Sequence, residues 1–455
     1  MILTPRFFSR WMALIYLTAF WSLGVQIIGL IGSHGVLPIG DFLNYFSHQQ
    51  GISRFWEFPT LCWINHSDGF LLFLCWAGAA LSVLLFFGVM PAVSAFLLWL
   101  FYLSLTIAGQ EFLGFQWDNL LLEAGFLFIF YSIRPSRTII WLFRWLLFRL
   151  MFDSGLVKVL SGDLNWAHLT ALTYHYWTQP LPNIISWYAG QLPLWFQKLS
   201  CIVVFIVELF MPFLIFCGSW GRQIAFWAIC GLQILIILTG NYCFFNLLTI
   251  GLCLTLLINE PVLEKGKIYY KIVEGVVAGL VLIVSLGLMG DSFLRLPLPK
   301  PVEKIITVVS PLRSINNYGL FAVMTTERNE IILEGSDDGD KWLPYEFAFK
   351  PGDINNAPRW AMPYQPRLDW QMWFAALSPW RDNQWLLYLM ERLLQGEPSV
   401  ERLLAVNPFP HHPPRYIQAT LWKYHFTDLK TKGAKGPWWR REILGLYCPT
   451  VSLNN

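Results

Sequence analysis

The sequence predicts a multi-pass α-helical membrane bundle of about nine spans, followed by a mainly β extracytoplasmic domain with a helical insertion. Hydrophobic residues make up 55% of the 455-residue chain and charged residues only 13%. The charges are also uneven: residues 1–290 carry 25 of them, whereas residues 291–455 carry 36, a density that approaches that of soluble domains. We therefore divide the chain into a transmembrane domain (1–290), a linker (291–311) and a β-sandwich-like soluble domain (312–455).

Nine apolar segments are candidate spans, since a helix needs about 20 residues to cross the hydrocarbon core of a bilayer. The first lacks the small-residue cleavage site of a signal peptide, and we interpret it as a retained anchor. The fifth is also amphipathic enough to lie along the membrane surface or to re-enter the bilayer. The segments are 11–32, 70–90, 91–109, 119–133, 138–160, 198–217, 222–239, 243–258 and 272–290.

Basic residues in the short loops predict the orientation, because Lys and Arg concentrate on the cytoplasmic side. With a cytoplasmic N-terminus, all the basic clusters lie on that side, and the opposite loops carry only Arg54 and Lys198. An odd number of spans then puts the C-terminal domain outside. We expect the ER membrane and a lumenal domain in a eukaryote, or the plasma (inner) membrane and a periplasmic domain in a bacterium. The clusters are Arg6 with Arg10, Arg134 with Arg137, Arg222, and Lys265 with Lys267 and Lys271.

The net charge of +3 lacks the basic excess of a nucleic-acid-binding protein, so membrane lipid and protein are the predicted partners. The sequence contains no H-E-x-x-H, C-x-x-C or G-x-S-x-G motif, and no Walker or dinucleotide-binding loop. We therefore predict no catalytic residue, no metal and no cofactor, and a role other than an enzyme is favoured.

Several ionisable residues fall within the predicted spans, where charges usually face a bundle interior or a cavity. Arg149 and Asp153 are four residues apart, so they can pair on one helix face. One interpretation is a polar cluster that binds a headgroup, a quinone-like molecule or a proton. The other is a set of structural pairs between helices, and no second motif decides between them. The candidate cluster is Glu123, Arg149, Asp153, Lys158 and Glu208.

Two of the eight cysteines fall in outer, extramembrane segments: Cys62 and Cys448. The other six lie within or at the edges of spans, where cysteine behaves as a small hydrophobic residue. An oxidising compartment would allow Cys62 and Cys448 to form a disulfide between the first outer loop and the end of the chain.

The C-terminal domain shows strand and helix patterns in turn. The runs NEIILEG and KWLPYEFAFK predict a hairpin across Asp338-Gly339, a dipeptide that favours tight turns. Residues 382–406 have the apolar spacing of a helix, and RYIQATLWKYHF and WWRREIL predict further strands. We expect a β-sandwich with a helical insertion.

The same domain is rich in tryptophan and arginine, the residues that dominate protein-binding hot spots. We therefore regard five residues as candidates for client binding, with the alternative that the tryptophans form the domain's own core. The candidates are Trp370, Trp373, Trp438, Trp439 and Arg440.

Several long stretches of the chain resemble the lipase maturation factor family, and together they extend over nearly its whole length. They include QWDNLLLEAGF at 116–126, FRLMFDSGLVKVLSGD at 148–163, LTYHYWTQPLP at 172–182, LTGNYCFFNLLT at 238–249, NNYGLFAVMTTERNEIILEGSDDGDKW at 316–342 and QPRLDWQMWFAAL at 365–377.

The resemblance implies a membrane-anchored chaperone that assists the folding and assembly of secreted lipases, with a lipase or another exported protein as its client and without a cofactor. The end of the sequence carries no ER-retention tetrapeptide, which leaves a bacterial member of the family open. The alternative hypothesis is a membrane-embedded enzyme or redox protein that acts on a lipid-soluble substrate through the 116–163 region.

Overall fold

The computed structural model describes residues 4–49, 51–258 and 268–453, and the predicted loop lysines Lys265 and Lys267 lie outside these residues. The first part of the chain is a helical bundle. Its helices are α1 (Pro5–Gly24), α2 (Ile27–Ile31), α3 (Ile39–Gln49), α4 (Arg54–Glu57), α5 (Asp68–Phe86), α6 (Pro91–Ala108), α7 (Gln116–Ile133), α8 (Arg137–Leu160), α9 (Leu164–Ala167), α10 (Ala171–Thr178), α11 (Ile184–Ala189), α12 (Leu194–Phe205), α13 (Gly218–Thr239), α14 (Phe245–Leu254) and α15 (Ile268–Leu294).

Five helical segments of the described chain are long and apolar enough to cross a membrane, as judged by length and composition. These are the helices α5, α6, α13 and α15, together with the segment Leu194–Phe216, which begins with α12. They coincide with the predicted second, third, sixth, seventh and ninth spans. The protein is therefore an integral membrane protein.

The other four predicted spans correspond to α1, α7, α8 and α14, which do not meet these criteria, so the count of nine is not confirmed. Helix α14 has only 10 residues. Helices α7 and α8 carry charges, and 11 of the 18 residues of α7 and 15 of the 24 residues of α8 are buried inside the protein. These two helices form the interior of the bundle, which is where a membrane protein keeps charged side chains.

The segment that begins with α12 changes its helical form midway. An α-helix as far as Phe205 is followed by a π-helical turn (Ile206–Phe210) and a 3-10 turn (Met211–Phe216). Pro212 has no backbone N–H to donate, so a regular α-helix cannot continue through it. The π turn contains Glu208, whose side chain is buried.

The C-terminal part contains a four-stranded antiparallel sheet in the order β2-β1-β3-β4. The strands are β1 (Arg328–Ser336), β2 (Leu343–Pro344), β3 (Tyr416–Phe426) and β4 (Trp439–Val451), and the helices are α16 (Lys300–Val309), α17 (Arg367–Ala375), α18 (Gln384–Leu394), α19 (Pro398–Glu401) and α20 (Leu429–Lys432). The predicted hairpin is confirmed, since β1 and β2 pair across a turn in which Gly339 has a φ of 83°.

The predicted mainly β sandwich is not confirmed. The described residues contain this single sheet rather than two facing sheets, and α17 and α18 pack against β1 and β3. The sequence does not predict helix α17, because its polar residues Arg367, Asp369 and Gln371 stand at every second position, which is not a helical period, and all three are buried.

The C-terminal domain docks onto one end of the bundle, and one continuous cluster of buried apolar residues extends through both. Polar contacts join the two parts as well. The Gln26 side chain, beyond the end of α1, donates to the Gln365 carbonyl at 2.8 Å and accepts from the Arg367 N–H at 3.0 Å. Asn241, after α13, donates to the Arg359 carbonyl at 2.9 Å and accepts from the Ala361 N–H at 2.8 Å.

Candidate functional site: a cavity between the bundle and the C-terminal domain

A cavity of about 490 Å³ lies where the bundle meets the C-terminal domain. Its walls come from α8, α10, α13, α14 and α17, together with the loop at 319–325. Most of the lining side chains are apolar or aromatic. The volume lies within the range of about 300–1,000 Å³ that is usual for small-molecule sites.

A buried ion pair lies in the cavity wall. Lys158, in the last turn of α8, contacts Glu208 in the π turn, with 2.8 Å between Nζ and Oε2. The same ammonium donates to the Ser154 carbonyl at 2.9 Å and lies 5.4 Å from the centre of the Trp166 ring. The π turn therefore presents a carboxylate to the cation of a neighbouring helix at the edge of the cavity.

A second polar group of the wall consists of His175, Gln179 and Tyr242. The Tyr242 hydroxyl donates to Gln179 Oε1 at 3.0 Å and lies 3.4 Å from His175 Nε2. Burial, together with the charge of Lys158, lowers the pKa of His175 to about 4. The imidazole is therefore neutral at physiological pH.

The loop between the bundle and β1 closes one side of the cavity. Phe321 has a φ of 55°, which is strained for a residue with a side chain, and its ring packs against the rings of His175 and Tyr242 at 4.9 and 5.8 Å. Its carbonyl accepts from the Trp166 indole at 2.9 Å, and the Met324 N–H donates to Asp163 at 2.6 Å. These contacts hold the unusual conformation in place, as expected where strain occurs at a binding site.

Three lining residues have buried polar atoms without a hydrogen-bond partner among the described residues: the indole nitrogens of Trp117 and Trp370, and Oδ1 of Asn246. The two indole rings pack edge to face, with centroids 4.7 Å apart. Buried polar groups are nearly always satisfied in proteins, so unpartnered atoms in a cavity wall indicate a place for a ligand or water.

Glu123 and Arg149 of the predicted cluster lie elsewhere. They form a fully buried ion pair that binds the start of the same loop. Glu123 accepts from the Asn316 N–H at 2.9 Å and from the Tyr318 hydroxyl at 2.7 Å, and Arg149 donates to the Asn316 carbonyl at 2.9 Å. The predicted cluster thus separates into one pair that fastens the C-terminal domain and one pair that lines the cavity.

The predicted pairing of Arg149 with Asp153 does not form. Arg149 is bound to Glu123 on α7, and both carboxylate oxygens of Asp153 are buried without a hydrogen-bond partner among the described residues. The four-residue spacing along α8 allows Arg149 and Asp153 to pair, but the Arg149 guanidinium contacts the Glu123 carboxylate of the neighbouring helix α7 instead.

Sequence reasoning missed a third buried pair. Arg367 of α17 binds Asp118 of α7 through two nitrogens at 2.8 and 3.0 Å, and the Tyr102 hydroxyl donates to the same carboxylate at 2.5 Å. The partners are 249 residues apart in sequence. The available signal was the isolated Asp118 in QWDNLL and the charged residues Arg367 and Asp369 in QPRLDW, both of which are tryptophan-containing runs.

Arg328, at the start of β1, was also missed. Its side chain pairs with Glu330 and donates to the carbonyls of Trp177, Gln179 and Pro180 at the end of α10. The arginine therefore joins the sheet to the segment that carries His175.

Three of the five candidate client-binding residues are internal, which agrees with the alternative that the tryptophans are core residues. Trp370, Trp373 and Trp439 are only 3%, 8% and 1% exposed. Trp438 is half-buried and its carbonyl accepts from the Trp187 indole, whereas Arg440 is exposed. Contacts that a sequence pattern does not reveal cover the three buried indoles. Trp370 packs against Trp117 of the bundle, Trp373 donates to the Thr178 carbonyl, and Trp439 packs against Tyr424 and Phe426 of β3.

The predicted disulfide is absent from the structure, where Cys62 and Cys448 are both free and buried. Cys62 lies in a short 3-10 helix in the bundle, whereas Cys448 lies opposite Ala419 in the sheet. Burial raises the pKa of both thiols, so they stay protonated and unreactive. Within the described part of the chain, no group of three or more His, Cys, Asp or Glu residues could hold a metal ion.

A helical membrane domain, a C-terminal domain docked onto it and a cavity between them define a multi-pass membrane protein with an internal candidate binding site. The chain belongs to the lipase maturation factor family. The model of the family's transmembrane domain matches residues 3–264, and the model of its C-terminal domain matches residues 314–449.

Curated relatives are similar over nearly the whole chain. Lipase maturation factor 2 of Gallus gallus is 35% identical over 99% of this chain and 82% of its own length. Lipase maturation factor 2 of Homo sapiens is 34% identical over 100% of this chain and 83% of its own length. Lipase maturation factor 1 of Mus musculus is 34% identical over 100% of this chain and 88% of its own length. A comparison with solved structures gave no significant match.

Proposed function

We propose that this protein is a membrane-anchored maturation factor that assists the folding and assembly of secreted lipases or other exported proteins. The observation that carries the proposal is the match of both family domains, in order, together with relatives named lipase maturation factor over the full length of the chain. The client is then a partly folded protein on the outer side of the membrane.

The proposed topology has nine crossings, with α1, α7, α8 and α14 added to the five apolar segments. Burial of α7 and α8 among the apolar helices supports this count, since their charges do not meet lipid. Contacts of the C-terminal domain support the orientation. Gln26, Asp118 and Asn241 all contact it, and all lie at the helix ends that loop charges assign to the lumenal or periplasmic side.

The surface that we propose for client binding is the outer edge of β4. This strand has 13 residues and lies at one end of the sheet, so its second edge is not paired with another described strand. Three large apolar residues on it are exposed: Ile443, Leu444 and Leu446. An open edge of this kind accepts an extended segment as an additional strand, and unfolded clients supply such segments.

The ends of β4 carry features that limit pairing, which leaves a short apolar window between them. Arg440 and Arg441 precede this window, and Pro449, which cannot donate to a ladder, follows it. Such residues protect natural sheet edges from aggregation. We propose that the window at 443–446 is left open for the client.

Complementation tests the maturation function. Cells that lack their own lipase maturation factors would express this chain together with a secreted lipase, and lipase activity per amount of secreted lipase protein would be measured. We expect activity to rise above that of cells with an empty vector. An unchanged specific activity, with the protein present in the membrane, would reject the function.

Charged substitutions test the client surface. The double variant Leu444→Lys with Leu446→Lys should lower the recovered lipase activity, whereas Thr450→Lys, an exposed change on the same strand, should not. Equal activity of all three proteins would reject the edge as the client site. If the purified protein self-associates and the double variant does not, the edge binds a second copy of this chain instead of a client.

The cavity is the observation that favours the alternative hypothesis of a lipid-soluble substrate. Its ion pair and its tyrosine hydroxyl already have partners: Lys158 pairs with Glu208, and Tyr242 donates to Gln179. This arrangement supports binding of a lipid-soluble molecule more directly than a reaction on it.

A further inference from the structure

The cavity has the dimensions of a site for one small lipid. Its volume of about 490 Å³ equals that of about 16 water molecules at roughly 30 Å³ each. The apolar lining disfavours filling by that much water, because water in a buried site needs two to four polar partners. An acyl chain in the cavity would remove most of this apolar surface from water, and this burial is favourable without any hydrogen bond.

The charges of the wall balance. Lys158 and Glu208 neutralise each other at 2.8 Å, and His175 is uncharged at physiological pH. A charged ligand group would lose its hydration on entry without gaining an unpaired counter-charge, which is costly in a buried site. The balance therefore selects against both anionic and cationic head groups.

Hydrogen-bonding capacity is nevertheless left over. The Lys158 ammonium has three donors, and its hydrogen bonds within the described residues go to Ser154 and Glu208. The unpartnered indole N–H groups of Trp117 and Trp370 and the unpartnered Asn246 oxygen belong to the same wall. Hydroxyl and carbonyl groups can satisfy such donors and acceptors without carrying charge.

The cavity has an apolar mouth. Among its lining residues, Val323 is 67% exposed, and Phe374 and Leu377 are exposed as well. The lining also includes Val204 and Ile236, which belong to two of the apolar membrane segments. Apolar surface therefore lies both at the exposed part of the cavity and on the side chains that two membrane segments contribute to it.

From the size, the charge balance and the apolar mouth, we propose that this cavity binds one uncharged amphiphile, a single-chain lipid with a hydroxyl and carbonyl head of the acylglycerol class. The proposal does not depend on lipase maturation. It concerns occupancy of the cavity, and it can hold or fail whichever client the protein serves.

Photo-crosslinking to the purified full-length protein in nanodiscs tests the proposal. The two probes are monooleoylglycerol and oleate, each with the same photoreactive group in the chain, so that only the head group differs. We expect the uncharged probe to label the lining residues about tenfold more strongly than oleate. Equal labelling, stronger labelling by oleate or labelling elsewhere on the protein would overturn the proposal.

Two variants locate the site. Ala322→Trp fills the cavity from the loop and should abolish labelling, whereas Thr326→Trp, an exposed change on the same loop outside the lining, should leave it unchanged. Glu208→Gln leaves the Lys158 charge without its partner and should shift the preference toward oleate. Thermal unfolding identifies variants that fail to fold. If Ala322→Trp is among them, competition by unlabelled monooleoylglycerol but not by oleate decides the question.

Discussion

The two buried ion pairs of the bundle differ in what surrounds them. Glu123 and Arg149 are enclosed by Asn316 and Tyr318, which contact their side chains from the C-terminal domain. Lys158 and Glu208 line a cavity instead and keep hydrogen-bonding capacity. Both pairs are equally unexpected at membrane depth, so a buried charge does not by itself indicate function. The surroundings of each pair distinguish a structural ion pair from one that lines a candidate binding site.

The largest expected effect comes from breaking the enclosed pair. Arg149→Met leaves the Glu123 carboxylate buried without its cation, which typically destabilises a protein by about 3–5 kcal/mol. Thermal unfolding of the purified variant and its yield in the membrane would measure the loss. Glu303→Gln, at an exposed position of α16, is the matched control and should behave as wild type. A normal Arg149→Met protein would mean that the pair does not hold the domains together.

A smaller effect is expected at the pair between Asp118 and Arg367. Arg367→Lys keeps the charge but loses the two-nitrogen contact with the carboxylate, because an ammonium is a single point of contact. We expect a loss of about 2 kcal/mol. Limited proteolysis of the junction between bundle and C-terminal domain, together with the unfolding temperature, would measure it. Unchanged protease resistance would show that charge alone is sufficient there.

The cavity pair should tolerate removal as a unit. The double variant Lys158→Met with Glu208→Leu replaces both charges by apolar groups of similar size, a change that is often neutral for stability, here within about 1 kcal/mol. Lipid labelling should weaken because the polar contacts to the head are gone. The single variant Lys158→Met, which leaves Glu208 alone, is expected to be less stable than the double. If the double variant were as unstable as Arg149→Met, the two ion pairs would contribute equally to stability and the distinction between them would fail.

A buried carboxyl held mainly by backbone N–H groups provides the smallest test. Asp369 in α17 accepts from the N–H groups of Phe349 and Lys350, yet burial raises its pKa to about 6. The folded protein then binds this proton more tightly than the unfolded chain does. Stability should therefore fall as the pH rises from about 4 to about 6 and level off above. The unfolding temperature of the variant Asp369→Asn should not show this decrease with pH. If the decrease is unchanged in the variant, other titrating groups cause it.

The sequence predicted the elements whose pattern is local. The apolar runs that became α5, α6, α13 and α15 and the turn at Asp338-Gly339 needed no distant partner to be recognised. Most of the buried charges within the bundle were also found, since a single charge inside an apolar segment is visible in the sequence, but Asp118 was missed.

Partners from distant parts of the chain were not predictable. Arg149 was paired with Asp153 because they are close in sequence, whereas Glu123 lies on the neighbouring helix. The sequence left open whether Trp370 and Trp373 bind a client or form a core, because nothing in it indicates that the bundle contacts them. The cavity depends on the same docking, so its lining residues could not be collected from any one segment.

The contacts of Glu123, Arg149 and Asp118 also bear on whether the two parts of the chain can exist separately. A fragment that ends at residue 290 would keep the pair of Glu123 with Arg149 but lose its hydrogen bonds to Asn316 and Tyr318, and Asp118 would lose its only cation, Arg367, among the described residues. We therefore expect that the change in charge density at this point does not mark a boundary between independently folding units. Truncation experiments that remove the C-terminal domain would test bundle folding, and any loss of lipase maturation in them could not be ascribed to a missing client surface.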